Sequence, residues 1–158
     1  MANTQSMCTS FLGELMTATH NFGASPVRAA ATADTFKAAL YLASATVNAS
    51  TTVYSTTGEV SGTGYTAGGV TVTNATAPTS TNASATAGVG YWTPSASFTY
   101  TTVTLSTAFD TVLLYNSTQS DKAVSVHTFG SQTITAGTFT LTMPSNTTTT
   151  ALLRLATT

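Results

Sequence analysis

The stretch DTVLLYNSTQSDKAVSVHTF, residues 110–129, contains the pattern that decides the fold. Apolar residues recur at every second position on each side of a polar centre: Val112, Leu114, Val124 and Val126. A period of two is typical of a strand with one buried face, and the polar residues at 118–121 are of the types that favour a turn. The stretch therefore predicts a β-hairpin.

The same period runs through most of the chain from Thr35 onward. Its other members are apolar residues two positions apart: Phe36, Ala38, Leu40 and Leu42; Val70 and Val72; Phe98 and Tyr100; Val103 and Leu105. A second hairpin is predicted with its turn at Ala136 and Gly137, and a last strand over 151–155. About seven or more short strands predict an all-β fold, an antiparallel β-sandwich of immunoglobulin-like or jelly-roll-like type over residues 34–158.

Residues 1–33 are predicted to form an N-terminal segment with one short helix. The spacing of Cys8, Phe11 and Leu15 is helical, Ser6 is a suitable N-cap, and the spacing predicts a helix over about residues 7–20. The large apolar side chains of this helix are the candidate docking residues: Phe11, Leu12, Leu15 and Met16. The helix either packs on the domain's own sheet or docks on a neighbouring subunit.

A long polar loop is predicted at 74–90, where NATAPTSTNASATAGVG has no periodic apolar residues. It leads to Tyr91 and Trp92, which are candidate exposed contacts. The alternatives for this pair are a platform for stacking on sugars, an anchor for a protein partner, or the closed end of a core.

Charge is scarce in this sequence, which has four Lys or Arg, five Asp or Glu and a net charge of −1. Nucleic acid and anionic membranes are therefore not expected as partners. With 42% hydrophobic residues the chain is predicted to fold rather than remain disordered. A polar but uncharged surface can be covered by a partner without the desolvation of ions, which costs several kcal/mol each.

No catalytic, cofactor-binding or metal-binding residues are predicted, and the protein is not expected to be an enzyme. A catalytic triad of a serine with His127 and Asp110 is one alternative, but the alternation around His127 favours an ordinary, outward-facing strand histidine. A glycosidase pair of Glu59 and Asp110 is not favoured either. The glycine-rich stretch EVSGTGYTAGGVTV, residues 59–72, lacks the third glycine and the lysine of phosphate-binding loops, and predicts a turn or β-bulge instead.

Several segments, in conserved order along the chain, resemble a family of small virion proteins encoded by tailed bacteriophages and prophages, notably short-tailed ones. These segments are MANTQSMCTSFLGEL (1–15), DTFKAALY (34–41), EVSGTGYTAGG (59–69), LLYNSTQSDKAVSVHTFG (113–130), TAGTFTLTMP (135–144) and ALLRL (151–155). Family members often have Lys or Arg where this chain has Leu12 or Gly13, and a shorter segment than 74–90. The helix face and that loop are therefore specific to this protein.

The resemblance implies a structural component of the phage particle, made in the bacterial host cytoplasm and located in the virion. The favoured position is the tail or the head-to-tail region, in several copies that form a homo-oligomer, with other virion proteins such as tail, adaptor or capsid subunits as partners. A capsid decoration protein on the head and a module that binds host glycans are the alternatives. No cofactor is expected.

Overall fold

Eight strands form two antiparallel sheets in the part of the chain that the structure, a computed structural model, describes: residues 3–8, 11, 15, 19–22, 33–81 and 88–156. The strands are β1 Ser6–Met7, β2 Phe36–Leu42, β3 Val70–Thr71, β4 Thr79–Ser80, β5 Val89–Trp92, β6 Phe98–Asn116, β7 Lys122–Leu141 and β8 Leu153–Ala156. The sheet orders are β1-β7-β6-β2-β3 and β4-β5-β8. The predicted all-β class is confirmed.

Contacts divide the chain into two compact units. The first consists of residues 1–20, 34–72 and 98–140 and contains the five-stranded sheet. The second consists of residues 21–33, 73–97 and 141–158 and contains the three-stranded sheet. The predicted boundary between residues 33 and 34 stays a prediction.

The hairpin predicted at 110–129 is confirmed. Strands β6 and β7 are neighbours in the sheet and are joined by a turn over 117–121. Ser120 and Asp121 have positive φ angles of 54° and 57°. Tight reversals commonly place turn residues in this left-handed region.

The two strands of this hairpin are much longer than the sequence predicts, with 19 residues in β6 and 20 in β7. In β6 the buried side chains change from even to odd positions between Tyr100 and Val103, and Thr102 has a φ of 53°. An extra residue of this kind shifts the alternation by one without ending the strand. The periods at 98–100, 103–105 and 112–114, which predict separate strands, therefore belong to one strand.

The second predicted hairpin, with its turn at Ala136 and Gly137, is wrong. Ala136 has a positive φ of 46°, but β7 continues through it to Leu141. The Ala136 N–H donates to the Thr104 hydroxyl of β6 at 3.0 Å. A residue suited to a turn can also form a bulge within a continuous strand. Which of the two forms depends on whether a neighbouring strand continues alongside it.

Strand β2 is buried on both faces. It pairs with β6 from Phe36↔Asn116 to Leu42↔Phe109, so Phe36 and Tyr115 point to opposite faces. On one face His20 stacks on Phe36, with ring centroids 6.3 Å apart. On the other, Tyr54 stacks on Tyr115 at 4.6 Å. Loop and N-terminal residues thus cover a central strand pair whose side chains are apolar on both sides.

The N-terminal segment adds a strand to this sheet. Ser6 and Met7, predicted as the helix N-cap and first turn, form β1 and pair with Val126 and Ser125 of β7. Of the predicted helix, Phe11 and Leu15 are helical in the described part. The residues between them lie outside the described residues, so the helix stays a prediction.

The second unit corrects the loop predicted at 74–90. Thr79 and Ser80 are exposed, as predicted, but they form β4 and pair with Tyr91 and Gly90 of β5. Residues 82–87 lie outside the described residues. The last predicted strand is confirmed, shifted slightly to β8, which pairs with β5 from Val89↔Ala156 to Trp92↔Leu153.

Candidate functional site

A cluster of polar side chains in the first unit surrounds the carboxylate of Glu59. The Tyr54 hydroxyl donates to Oε2 at 2.6 Å, and the Tyr65 hydroxyl and the Gly68 N–H each donate to Oε1 at 2.7 Å. Hydrogen bonds to an ionised carboxylate are shorter and stronger than neutral ones. Glu59 therefore acts as a fixed acceptor that ties three loop positions together.

Five tyrosines interact with this carboxylate and form the Glu59 tyrosine cluster: Tyr41, Tyr54, Tyr65, Tyr100 and Tyr115. The Tyr100 hydroxyl donates to the Ala38 carbonyl at 2.7 Å, and the Tyr115 hydroxyl donates to the Gly68 carbonyl at 2.9 Å. The hydroxyls thus fasten the 54–69 loop to strands β2 and β6.

The environment of the cluster keeps its phenols protonated. Burial, with a smaller contribution from the charge of Glu59, raises the pKa of Tyr41 to about 12. The pKa values of Tyr54, Tyr65, Tyr100 and Tyr115 are raised as well, chiefly by burial. Neutral phenols with raised pKa values donate hydrogen bonds well and are poor bases or nucleophiles at neutral pH. The geometry is that of a structural network.

The glycine-rich stretch at 59–72 builds this cluster. Gly64 and Gly69 have φ angles of 79° and 73°, and a Cβ added at Gly69 would collide with the Ala38 carbonyl of β2. The predicted glycine bend is confirmed. Because the loop can approach β2 closely, the Tyr65 hydroxyl reaches the Leu40 N–H, from which it accepts at 3.1 Å.

A pocket of about 140 Å³ opens beside the cluster, between residues 64–70 and residues 99–101 of β6. The rings of Tyr65 and Tyr100 form part of its wall, with Thr66, Thr99 and Thr101. The described residues that line it include no charged side chain and no histidine. It offers hydroxyls and aromatic surface but no group that titrates near neutral pH.

His127 and Asp110 do not form a catalytic triad with a serine. The His127 Nε2 lies 2.8 Å from the Ser125 hydroxyl, and burial lowers the pKa of His127 to about 4. Asp110 instead accepts hydrogen bonds from the Asn3 side chain and the Thr111 hydroxyl. Ser125 is 1% exposed. A neutral histidine that shares a hydrogen bond with a buried serine two residues away forms a structural pair within the sheet.

Sequence reasoning missed a buried polar network at the start of β2. The Asn116 amide nitrogen lies 3.0 Å from His20 Nδ1 and donates to Asp34 Oδ2 at 2.8 Å, and the Asn116 oxygen accepts from the Thr118 and Gln119 N–H groups. Because Asn116 is fully buried, each of these partners compensates its desolvation. In the sequence these residues appear only as polar residues at the ends of strands. That pattern is too common to identify a buried network.

The outer edge of β7 is the other prominent feature of the first unit. Strand β1 pairs with β7 at Ser125 and Val126, and the chain then leaves this edge, since the Thr4 N–H donates to the Val47 carbonyl. Past Val126, no backbone of the described residues pairs with the side of β7 opposite β6. We call residues 128–135 on that side the open edge of β7.

The candidate docking and contact residues that the structure describes are buried or half-buried. Phe11 is 1% exposed and packs edge-on against His20, with centroids 4.9 Å apart, so the chain itself covers it. Leu15 is half-buried. Leu12 and Met16 lie outside the described residues.

Trp92 is also covered, which agrees with the alternative that it closes the end of a core and not with an exposed contact. It is 2% exposed and packs on Phe22, with centroids 4.8 Å apart. Its indole N–H donates to the Asn74 side chain and to the Thr76 carbonyl. A tryptophan buries a large apolar area once its N–H has partners, so it stabilises the second unit from within. Tyr91, next to it on β5, is half-buried.

No protein-family model matches this chain, and no curated protein or solved structure matches it either. The described residues include no group of three or more His, Cys, Asp or Glu side chains placed to hold a metal ion. They also include no helix that is long and apolar enough to cross a membrane.

Proposed function

We propose that this protein is a non-enzymatic structural component of a tailed bacteriophage particle. Within the particle it is an accessory protein of the tail or head-to-tail region, present in several copies and in contact with other virion proteins. The sequence resemblance to small virion proteins supports the proposal. So does the scarcity of charge, because a surface of hydroxyls and amides can be covered without the desolvation of ions.

The observation that carries the proposal is the open edge of β7. A strand edge presents unpaired N–H and C=O groups, and monomeric proteins commonly protect long edges with charges, prolines or a covering segment. Here the sequence from Ala123 to Leu153 contains no Asp, Glu, Lys or Arg, and its first proline is Pro144. Such an edge suits a protein whose working state is an assembly.

The finer features of the fold belong to the same proposal. We propose that the strands form an immunoglobulin-like or jelly-roll-like sandwich and that the N-terminal segment contains one short helix. The residue pattern supports both.

Capsid decoration is the second candidate, favoured by the same uncharged surface and open edge. A platform for host glycans has less support, since Trp92 is buried and its N–H already has partners.

Quantitative mass spectrometry of purified particles, together with electron cryo-microscopy, tests the proposal. We expect the protein in washed particles at about a dozen copies, as attachment around the symmetric tail would supply. Hundreds of copies on the head would favour decoration instead. Its absence from the particles of the phage that encodes it would overturn the proposal.

A further inference from the structure

We propose that the open edge of β7, residues 128–135, pairs antiparallel with the same edge of a second copy of this chain. The inference rests on the proposed function for its biological setting, and it names the mode of contact between copies. The edge is eight residues long, which corresponds to about 27 Å of extended backbone. Pairing would extend the five-stranded sheet across a twofold axis.

Most residues of the edge are exposed, and at its amino-terminal end the Thr128 hydroxyl donates to the Gln5 side chain at 3.4 Å. Gly130, Ser131, Gln132, Thr133 and Thr135 are exposed. A Cβ added at Gly130 would meet no atom within 4 Å. The sheet face at Gly130 is therefore open, and an approaching strand would pair with the backbone groups that point away from β6.

The edge lacks the devices that keep other edges apart. Residues 128–135 contain no charge and no proline. The nearest irregularity is Ala136, with its φ of 46°, and it ends the regular stretch rather than interrupting it. A bulge twists an edge away from a partner, so we place the pairing on the amino-terminal side of Ala136.

Charge indicates a second copy as the occupant. An identical strand can lie antiparallel on this edge without any like-charge contact, and its hydroxyl side chains would face one another. Cross-strand threonine pairs are mildly stabilising. A strand of another protein whose selectivity depends on ion pairs could form none with this edge. The absence of charge thus favours self-pairing over a charged partner.

The first measurement is hydrogen–deuterium exchange of the free, full-length protein at several concentrations, with sedimentation velocity in parallel. We expect concentration-dependent dimers and slower amide exchange at 128–135 as dimers form. Fast exchange at 128–135 in a protein that stays monomeric would overturn the inference. Slow exchange at every concentration, without dimers, would also overturn it, because the cover would then lie within the chain.

A charge exchange at the edge separates self-pairing from other contacts. Ser131→Lys, Thr133→Lys and Thr135→Lys in one variant, and the same three positions changed to Glu in another, place like charges on one face of the edge. We expect each variant alone to dimerise more than about tenfold more weakly, and an equal mixture to recover mixed dimers. Undiminished dimers in the lysine variant, or no recovery in the mixture, would contradict pairing at this edge.

The matched control changes Thr56, Thr57 and Ser61 to Lys. These residues are exposed in the same unit, and their side chains form no hydrogen bond with described residues. We expect the control to dimerise like the unchanged protein, and an equal loss of dimers would overturn the inference. If the protein forms dimers but is not incorporated into particles, the proposed function is wrong and the edge pairing stands. If it is incorporated but never self-pairs, the edge pairing is wrong and the proposed function stands.

Discussion

At the scale of single residues, the glycine-rich stretch shows how one missing side chain positions a network. Gly69 lies where a Cβ would meet the Ala38 carbonyl, and its φ of 73° is in the left-handed region. The close approach allows Gly68 and Tyr65 to reach Glu59. The local backbone and the Glu59 tyrosine cluster therefore depend on each other.

We predict that Gly69→Ala lowers the free energy of unfolding by more than about 2 kcal/mol, because both steric collision and a left-handed φ oppose the new Cβ. Urea denaturation followed by tryptophan or tyrosine fluorescence measures this change. Gly130→Ala is the matched control, since its Cβ would point into open space, and it should leave stability nearly unchanged. Equal stability of Gly69→Ala and the unchanged protein would show that the loop can move away.

The lowered pKa of His127 predicts that the stability of the protein depends on pH. Burial lowers its pKa from 6.5 to about 4, so between these values the unfolded chain binds a proton that the folded chain does not. The free energy of unfolding should therefore fall as the pH drops from 6.5 to 4. In His127→Gln, which keeps a hydrogen-bonding partner for the Ser125 hydroxyl, this fall should be smaller. Denaturant titrations at several pH values measure it, and identical pH profiles of the two proteins would contradict it.

At the scale of elements, the described residues Ser6–Cys8 and Phe11 of the N-terminal segment pack with the main sheet. Strand β1 extends the main sheet, and the Cys8 N–H donates to the Val124 carbonyl at 3.0 Å. Phe11 follows directly and packs into the core. A short terminal helix is marginal alone in water, so packing against the sheet is what would stabilise helical residues here.

We predict that Phe11→Ala destabilises the isolated protein by about 3–5 kcal/mol, because a buried aromatic ring leaves a cavity when it is removed. Leu15→Ala, at a half-buried position, should cost clearly less. Thermal and urea unfolding of the two variants make the comparison. If Phe11→Ala melted like the unchanged protein but failed to enter particles, docking of this segment on a neighbour would be correct after all.

At the scale of the whole molecule, the scarcity of charge limits what ion pairs can contribute to any contact that this surface makes. Nine charged residues are too few to form large patches of one sign. Polar and apolar contacts respond little to screening, which acts on charges. Tyr54 and Tyr65 donate to the Glu59 carboxylate, so this cluster contributes to the fold rather than to the outer field.

If the protein is attached to a phage particle as proposed, we predict that it stays bound when salt is raised to about 1 M, where screening acts within about 3 Å. Sedimentation of particles followed by immunoblotting measures the bound fraction. A particle protein attached through complementary charge is the suitable control and should dissociate. Release of this protein by salt alone would show that its few charges lie at the contact.

The hairpin at 110–129, the glycine bend and the last strand could be predicted because each depends on chemistry within a few residues. Alternation identifies a strand, and glycine or a polar run identifies a reversal. The burial of Trp92 and Phe11 could not be predicted in the same way. A large apolar side chain has the same local pattern whether its own chain or a partner covers it.

The sequence by itself determined the β class, the main turn and the scarcity of charge, since these follow from composition and period. Only the tertiary structure decided that Thr102 and Ala136 lie within long strands, because a positive φ becomes a bulge or a turn according to the strand beside it. It also decided which edge of the sheet stays open. Strand order depends on pairing between residues far apart in the chain, such as Ser6 with Val126, and no local pattern contains that information.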